Sequence, residues 1–270
     1  MSLITSAKEN LRLSNRRVLV IGPRGSGKTT FSVSASRHAG QTIEGEHRVC
    51  SDVLVIQGDT EGIMGAMDAG LEPGHVLDMC GVNSWLEYQQ RLIAALKELR
   101  EPLSDGTIKV VIIDLSWPAK LIDRSIDPSC QKDWKLVANE GSTLFRTLAS
   151  LRGVTVIGNA QIKASASPGE TTQSIDASNA KAIGGERTTF TVDLPKGIAA
   201  LWLDNASFIF CRNAKRVKNR QGDLVREFTT ITQSSQKFEA KSRAATKLAP
   251  TEPGTKSLHA LLSCAYGEAL

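Results

Sequence analysis

The sequence Val18-Leu19-Val20-Ile21-Gly22-Pro23-Arg24-Gly25-Ser26-Gly27-Lys28-Thr29-Thr30 decides the fold of this chain. Its first four residues are aliphatic, and such a continuous run predicts a strand that is buried on both faces, as in a parallel sheet. The residues from Gly22 to Thr29 have the spacing Gly-x4-Gly-Lys-Thr, in which glycines let backbone N–H groups turn toward an anion. A strand, this loop and then a helix are together typical of a phosphate-binding site.

Each position of this loop has a predicted task in binding a nucleoside triphosphate, for which we expect ATP with Mg2+. Lys28 is expected to contact the β and γ phosphate oxygens, and the Thr29 hydroxyl is expected to bind the magnesium ion. The alternative is a glycine-rich turn that arose by chance, which the predicted strand and helix on either side disfavour. The predicted nucleotide-binding residues are Gly22, Pro23, Arg24, Gly25, Ser26, Gly27, Lys28, Thr29 and Thr30.

Three further aliphatic runs, at residues 53–56, 110–113 and 154–157, predict three more buried strands. A helix is predicted from Ser84 to Arg100, because Ser84 and Glu87 form a capping box ahead of an apolar stripe. Strands that alternate with helices predict an α/β fold with a mostly parallel β-sheet flanked by helices, and a ligand site at the carboxyl ends of the strands. The predicted stripe consists of Trp85, Leu86, Leu92, Ile93, Leu96 and Leu99.

The C-terminal third of the chain has a different pattern. Residues 207–211 and 225–232 predict an antiparallel β-hairpin whose turn, around Gly222 and Asp223, is strongly basic. We expect an N-terminal segment at residues 1–16, one domain at 17–248 and a C-terminal tail at 249–270, in which 249–254 is a linker into a short helix. Residues 181–250 hold 13 Lys or Arg and 6 Asp or Glu, and this excess indicates a polyanionic partner.

The composition excludes several other classes of protein. The chain has 270 residues, of which 41% are hydrophobic and 23% charged, as in an ordinary globular protein. No apolar run has the length of a membrane span, so a cytoplasmic protein is expected. The five cysteines contain no Cys-x-x-Cys pair, and neither a zinc site nor a catalytic triad is predicted.

Acidic and amide side chains follow three of the predicted strands. Asp114 directly follows the run at 110–113, where a carboxylate is favoured as a magnesium ligand; its alternative role is to cap the next helix. Glu61 follows the second run and Gln161 the fourth. Taken alone, an acidic turn such as the one at Glu61 is more often simply exposed to solvent. Gln161 could contact the γ phosphate, but its position alone is a weak signal for that role.

Together these segments resemble the RecA-like recombinases and hexameric helicases, and particularly the small phage ATPases of the Sak-four type, which are nucleotide-binding or single-strand annealing proteins. The resemblance spans about residues 17–243 and implies a RecA-like P-loop ATPase core. Residues 55–61 are similar to the strand whose terminal glutamate activates water, which here is Glu61. Residues 159–163 resemble the Asn-Gln-Ile sensor of that group with one residue inserted. We take Gln161, rather than Asn159, as the sensor that contacts the γ phosphate.

The resemblance also implies that a neighbouring subunit completes the site. Residues 239–243 are similar to a Lys-x-Arg motif, so Lys241 and Arg243 are expected to act in trans on the nucleotide; the alternative is a solvated basic tail. Such an arginine finger is worth about 10³ to 10⁵ in rate, so hydrolysis is expected to depend on assembly into a ring or filament. Leu115 stands where the family usually has a hydroxyl after the acid, and slow hydrolysis is expected.

Two DNA-binding loops are implied by the resemblance, at about residues 118–141 and 163–185. Their charges would neutralise phosphates without reading bases, so binding is expected to tolerate any sequence and to weaken with salt. Trp117 and Trp134 are candidates for stacking on unpaired bases, although a tryptophan is more often part of the core. The basic hairpin is either a second DNA track or a solvated turn. The predicted DNA-binding residues are Lys120, Arg124, Lys132, Lys135, Lys163 and Lys181.

The sequence therefore predicts an ATPase in the host cytoplasm that oligomerises on single-stranded DNA and promotes annealing or strand exchange in recombination. DNA is expected to stimulate its turnover, and a single-strand DNA-binding protein is a candidate loading partner. Two alternatives remain open: a nucleotide-dependent assembly protein with negligible turnover, and a motor or helicase that moves along DNA.

Overall fold

The computed structural model describes residues 16–36, 42–43, 46–47, 50–72, 75–125, 134–165, 173–174, 189–219, 221–233, 241–242 and 248–266. The strands are β1 (Arg17–Gly22), β2 (Thr42–Ile43), β3 (Glu46–His47), β4 (Val53–Gln57), β5 (Val76–Asp78), β6 (Val110–Asp114), β7 (Thr155–Ser165), β8 (Gln173–Ser174), β9 (Thr189–Val192), β10 (Phe208–Lys218), β11 (Leu224–Ile231), β12 (Lys241–Ser242) and β13 (Thr251–Pro253). The helices are α1 (Lys28–Val33), α2 (Thr60–Asp68), α3 (Trp85–Glu98), α4 (Arg100–Ser104), α5 (Ser116–Ser125), α6 (Trp134–Ala149), α7 (Lys196–Asn205) and α8 (Leu258–Tyr266).

One large sheet organises the described part of the chain. Six neighbouring strands run parallel in the order β5, β4, β6, β7, β1 and β10. Strands β11 and β13 then extend the sheet beyond β10 in antiparallel orientation. Because β1 lies inside the parallel part, its carboxyl end has a neighbouring strand on each side.

The predicted α/β fold with a mostly parallel sheet is confirmed. Each of the four predicted strands forms, and each is almost wholly buried along the predicted run because both faces of the sheet are covered. The predicted C-terminal hairpin is also confirmed: β10 and β11 are antiparallel neighbours from the pair Cys211 and Ile231 to the pair Lys218 and Leu224. Strand β7 continues beyond the predicted run, as far as Ser165.

Helices cover the two faces of the sheet with separate hydrophobic clusters. Helices α3 to α7 contribute apolar side chains to one cluster, in which Trp202 and Tyr88 are among the largest fully buried residues. Helices α1, α2 and α8 contribute to the other, where Phe31 meets Phe210 edge to face. Among the described residues, no helix combines the length and apolar character of a membrane span.

Helix α3 buries a different stripe from the predicted one. Ser84 accepts a hydrogen bond from the Glu87 N–H at 3.2 Å, as a capping box requires. The prediction was wrong for Leu86 and Ile93, whose side chains are 64% and 47% exposed, while Tyr88 is buried. The stripe that faces the sheet follows three- and four-residue steps from Trp85 through Tyr88, which places Leu86 and Ile93 on the outer side.

Residues 251–266 pack against the rest of the fold, although the composition of their first part predicts a linker. Residues 251–253, predicted to be a linker, form β13 on the open edge of β11. The predicted terminal helix is present as α8, and Leu258, Leu261 and Leu262 are buried in the cluster that contains α1. The N–H of Leu258 also donates to the Ser34 hydroxyl at 2.8 Å, which ties α8 to the segment after α1.

Candidate functional site

The carboxyl ends of the parallel strands bring several of the predicted site residues to one edge of the sheet. In the strand register, Gly22 at the end of β1 lies opposite Gln161, and Asp114 at the end of β6 lies opposite Asn159. The loop from Gly22 to Thr29, called here the glycine loop, leaves the sheet at this edge. The loop, Asp114 and Gln161 therefore lie together, although they are separated along the chain.

The glycine loop has a backbone shape that depends on its glycines. Gly25 and Gly27 have φ angles of 72° and 73°, in the left-handed region where a side chain is strained. A Cβ atom at Gly22 would collide with the carbonyl oxygen of Arg212 and come within 2.6 Å of the Ser26 hydroxyl. That hydroxyl is buried, and within the described part of the chain it has no hydrogen-bond partner.

Lys28 bends back over the glycine loop. Its Nζ donates hydrogen bonds to the carbonyl oxygens of Gly22 at 3.1 Å and Pro23 at 2.9 Å. Burial lowers the pKa of Lys28 to about 8 from its usual 10.5, and the charge of Asp114, with a smaller effect from Asp59, opposes this shift. The ammonium group is thus a poorly solvated cation at the mouth of the loop.

Asp114 makes the helix-capping contact that its position predicts as one of two alternatives, and its role as a magnesium ligand stays a prediction. Its Oδ1 accepts a hydrogen bond at 3.0 Å from the N–H of Ser116, the first residue of α5, so it caps that helix. Its carboxylate also lies in the electrostatic field of Lys28. Burial raises the pKa of Asp114, while the Ser116 N–H and the charge of Lys28 act in the opposite direction. The helix cap fixes the carboxylate while leaving it coupled to the lysine.

Asp59 is a further acid near the site that sequence reasoning missed. It caps α2, because Oδ1 accepts from the Gly62 N–H at 2.7 Å and Oδ2 accepts from Gln57 Nε2 at 3.1 Å. Its charge raises the pKa of both Lys28 and Asp114. The available signal was its place just after β4 and three residues before Gly62, the spacing of a helix cap.

Glu61 lies on the surface in the first turn of α2, beside the glycine loop. Its Oε2 is 3.2 Å from Nη2 of Arg24, a residue of the loop. The two side chains are 79% and 61% exposed, and ion pairs as exposed as this one contribute little to stability. The pair nevertheless brings the Glu61 carboxylate next to the loop.

The structure distinguishes Gln161 from Asn159 by their surroundings. Asn159 is 4% exposed, and its Oδ1 accepts a hydrogen bond from the Ser32 hydroxyl of α1 at 2.7 Å. That amide joins the helix to the sheet. Gln161 is only partly buried and stands level with Gly22, so its side chain is the better placed of the two to contact a group in the loop.

The hairpin formed by β10 and β11 lies against the glycine loop. The sequence did not predict this contact. The guanidinium of Arg212 is 4.5 Å from the ring centre of Phe31 and 5.4 Å from that of Phe228. The Phe228 ring in turn lies 3.3 Å from the position of a Cβ at Gly27. Farther along β11, Nη1 of Arg226 donates to a loop carbonyl, that of Gly25, at 3.3 Å.

The predicted DNA-binding and trans-acting residues are more dispersed. Lys120 and Arg124 on α5 and Lys135 on α6 are exposed. Lys163 on β7 is 3.4 Å from Asp193, which offsets its charge. The backbone of Lys241 pairs with Ile209, which is level with Leu19 in β1. Outside the described residues lie Lys132, Lys181 and Arg243.

The two candidate stacking tryptophans have different outcomes. Trp117 is partly buried, packs against the cluster that contains α3, and fills the space where a Cβ of Gly58 would lie. Its packing fits the core role rather than stacking on bases. Trp134 begins α6, and its predicted stacking on bases stays a prediction.

Comparisons with known proteins do not assign this site. No protein-family model matches the sequence, and no curated protein matches it either. Among the described residues, no three His, Cys, Asp or Glu side chains cluster in a way that would hold a metal ion. What the site does must therefore be inferred from its own geometry.

Proposed function

We propose that this chain binds ATP with Mg2+ at the glycine loop and hydrolyses it. The observation that carries the proposal is the position of Lys28. Its ammonium group lies on the carbonyls of Gly22 and Pro23 and in the field of Asp114. A poorly solvated cation beside a glycine-built turn is suited to polyphosphate, because the ammonium regains interactions there that burial has removed.

The residues of the glycine loop fit a phosphate group. Gly22 leaves room that a Cβ would fill, and Gly25 and Gly27 have the backbone shape that turns N–H groups into a concave loop. The buried Ser26 hydroxyl has no hydrogen-bond partner among the described residues. These features support phosphate binding independently of the sequence spacing.

Thr29 and Asp114 are the residues that would hold magnesium. In nucleotide sites this ion is bound by one or two protein groups together with phosphate oxygens and water, so a cluster of three acids is not required. When bound, the ion neutralises charge on the phosphates. The cap on α5 would keep the Asp114 carboxylate in place for this role.

Other residues supply the remaining steps of the proposed reaction. Lys28 binds phosphate oxygens, and Glu61 orients the attacking water and accepts its proton. Gln161 contacts the γ phosphate and transmits its loss along β7. Lys241 and Arg243 act from a neighbouring copy of the chain in a ring or filament.

The proposed biological role is that of a RecA-like ATPase that assembles on single-stranded DNA for annealing or strand exchange. Its support is the sequence resemblance together with the exposed cations Lys120, Arg124 and Lys135. These charges would bind the DNA backbone without selecting a sequence.

The test is Mg·ATP binding by calorimetry and ATP turnover with and without a single-stranded oligonucleotide. Lys28→Ala should abolish binding, whereas Lys97→Ala, at the end of α3 and therefore at the opposite edge of the sheet, should leave it unchanged. DNA should raise turnover, and Lys120→Ala with Arg124→Ala should reduce that rise. Equal binding by Lys28→Ala and the wild type would refute nucleotide binding at the loop. ATP binding with turnover that neither DNA nor Glu61→Gln changes would instead favour the assembly protein.

A further inference from the structure

We propose that Arg226 and Arg216, which face each other across the hairpin, form a second phosphate contact above the glycine loop and bind the nucleotide in the same chain. The inference rests on the proposed function and deepens it. It assigns to the basic hairpin a role in the nucleotide site, in place of a DNA track or a solvated turn. Three features of the hairpin support this role: its attachment to the loop, the face that it turns toward the loop, and its pattern of charge.

The hairpin is attached to the glycine loop by a stack of side chains. The Arg212 guanidinium lies between the rings of Phe31, on α1, and Phe228, on β11. Arg212 is 4% exposed, and its Nη1 donates to the Thr230 hydroxyl at 2.6 Å. Because Phe228 also packs on Gly27, the stack fixes the position of β11 relative to the loop.

Arg226 and Arg216 lie on the side of the hairpin that this stack defines. The register pairs Arg212 with Thr230, Ala214 with Phe228, and Arg216 with Arg226. Side chains alternate between the two faces of a strand, so residues two apart share a face. Arg226 therefore follows Phe228 on the face that overlooks the loop, and its Nη1 reaches the Gly25 carbonyl at 3.3 Å.

The charges on the two faces of the hairpin are arranged differently. On the face toward the loop, Arg216 and Arg226 are directly opposite each other, an arrangement that is unfavourable unless an anion lies between or beside them. Among the described residues, neither has a carboxylate within ion-pair distance. On the other face, Lys215 is opposite Glu227. The unbalanced positive charge is thus concentrated toward the glycine loop.

A nucleotide phosphate fits this arrangement best. Guanidinium groups present paired N–H donors that match phosphate oxygens. Arg226 already contacts the loop proposed to hold the polyphosphate, and Arg216 lies beside it. A track for DNA would instead be expected to use the full exposed length of the hairpin, including Lys215 and Lys218.

The experiment measures Mg·ATP affinity by calorimetry for Arg226→Gln, Arg216→Gln and Lys215→Gln. The last variant is the matched control, because it removes the same charge from the opposite face of the same hairpin. The two arginine variants should bind ATP about five- to twentyfold more weakly, since each loses charge-assisted hydrogen bonds to phosphate. Lys215→Gln should stay within about twofold of the wild type, and urea unfolding should show that all three variants fold.

Failure of this inference can be told from failure of the proposed function. If the wild type binds no ATP, or Lys28→Ala binds it equally well, the proposed function falls and the inference falls with it. If Lys28→Ala abolishes binding but both arginine variants match Lys215→Gln, only the hairpin contact is refuted. Arginine variants that bind a single-stranded oligonucleotide more weakly, but ATP normally, would refute the contact in favour of a DNA track.

Discussion

Raising the pH from 7.5 to 9.5 is expected to weaken ATP binding by about 25-fold, through the titration of Lys28. In the free protein burial lowers the pKa of Lys28 to about 8. Phosphate binds the ammonium form of Lys28, so the lysine stays protonated in the complex over this range. Deprotonation of the free protein therefore weakens binding, and the dissociation constant is proportional to 1 + 10^(pH − 8). That factor is about 1.3 at pH 7.5 and about 33 at pH 9.5, which is the source of the 25-fold ratio.

Neither Cys211 nor the phosphate groups explain such a change. Burial raises the pKa of the Cys211 thiol to about 12, above the range of the experiment. The second ionisation of a phosphate group has a pKa of about 6 and is complete before pH 7.5.

The assay is calorimetric titration with Mg·ATP at half-unit steps of pH, with Lys28→Arg as the control. Arginine keeps its charge throughout the range, so that variant should bind with an affinity that does not depend on pH, although its shape lowers the affinity. A change of less than about twofold in the wild type would refute the reasoning. An equal change in Lys28→Arg would show that another group is responsible.

The lowered pKa of Lys28 also predicts that the free energy of unfolding rises with pH, whereas the affinity for ATP falls. Between pH 8 and 10.5 the unfolded chain binds more protons at Lys28 than the folded chain does, because the folded pKa is the lower one. Stability without nucleotide should therefore rise with pH over this interval relative to Lys28→Met, as linkage requires. Urea unfolding at several pH values measures this difference without relying on activity.

Two further substitutions test the geometry of the site. Asp114→Asn keeps an oxygen that can accept a hydrogen bond from the Ser116 N–H, so the variant should fold with equal or greater stability. Its magnesium-dependent ATP turnover should fall by about 100-fold or more. Turnover within threefold of the wild type would exclude Asp114 as the metal ligand. Gly22→Ala should lower the free energy of unfolding by about 1 to 3 kcal/mol, because its Cβ collides with the Arg212 carbonyl. The control Gly65→Ala, whose Cβ would have 4.0 Å of clearance within α2, should be neutral or stabilising, and equal urea midpoints for the two variants would contradict the steric argument.

Local patterns in the sequence were enough to predict the frame of the protein. Continuous aliphatic runs predict strands that are covered on both faces, and all four were found. Two features of the site can be read from residues that are adjacent in the sequence. They are the spacing from Gly22 to Lys28 and the position of Asp114 at the end of a strand. Parallel strands bring such ends to one edge of a sheet, so the meeting of Lys28 and Asp114 could be anticipated.

The surroundings of the glycine loop were decided only by the tertiary structure. Arg226 contacts Gly25 across 201 positions of sequence, and the stack of Phe31, Arg212 and Phe228 joins a helix to two strands near the other end of the chain. No local pattern contains the register that places these residues together, since a shift of one residue would turn Arg226 to the opposite face. The sequence by itself determined that there would be a glycine-rich loop at the edge of a parallel sheet. Long-range strand pairing determined which cations lie over that loop.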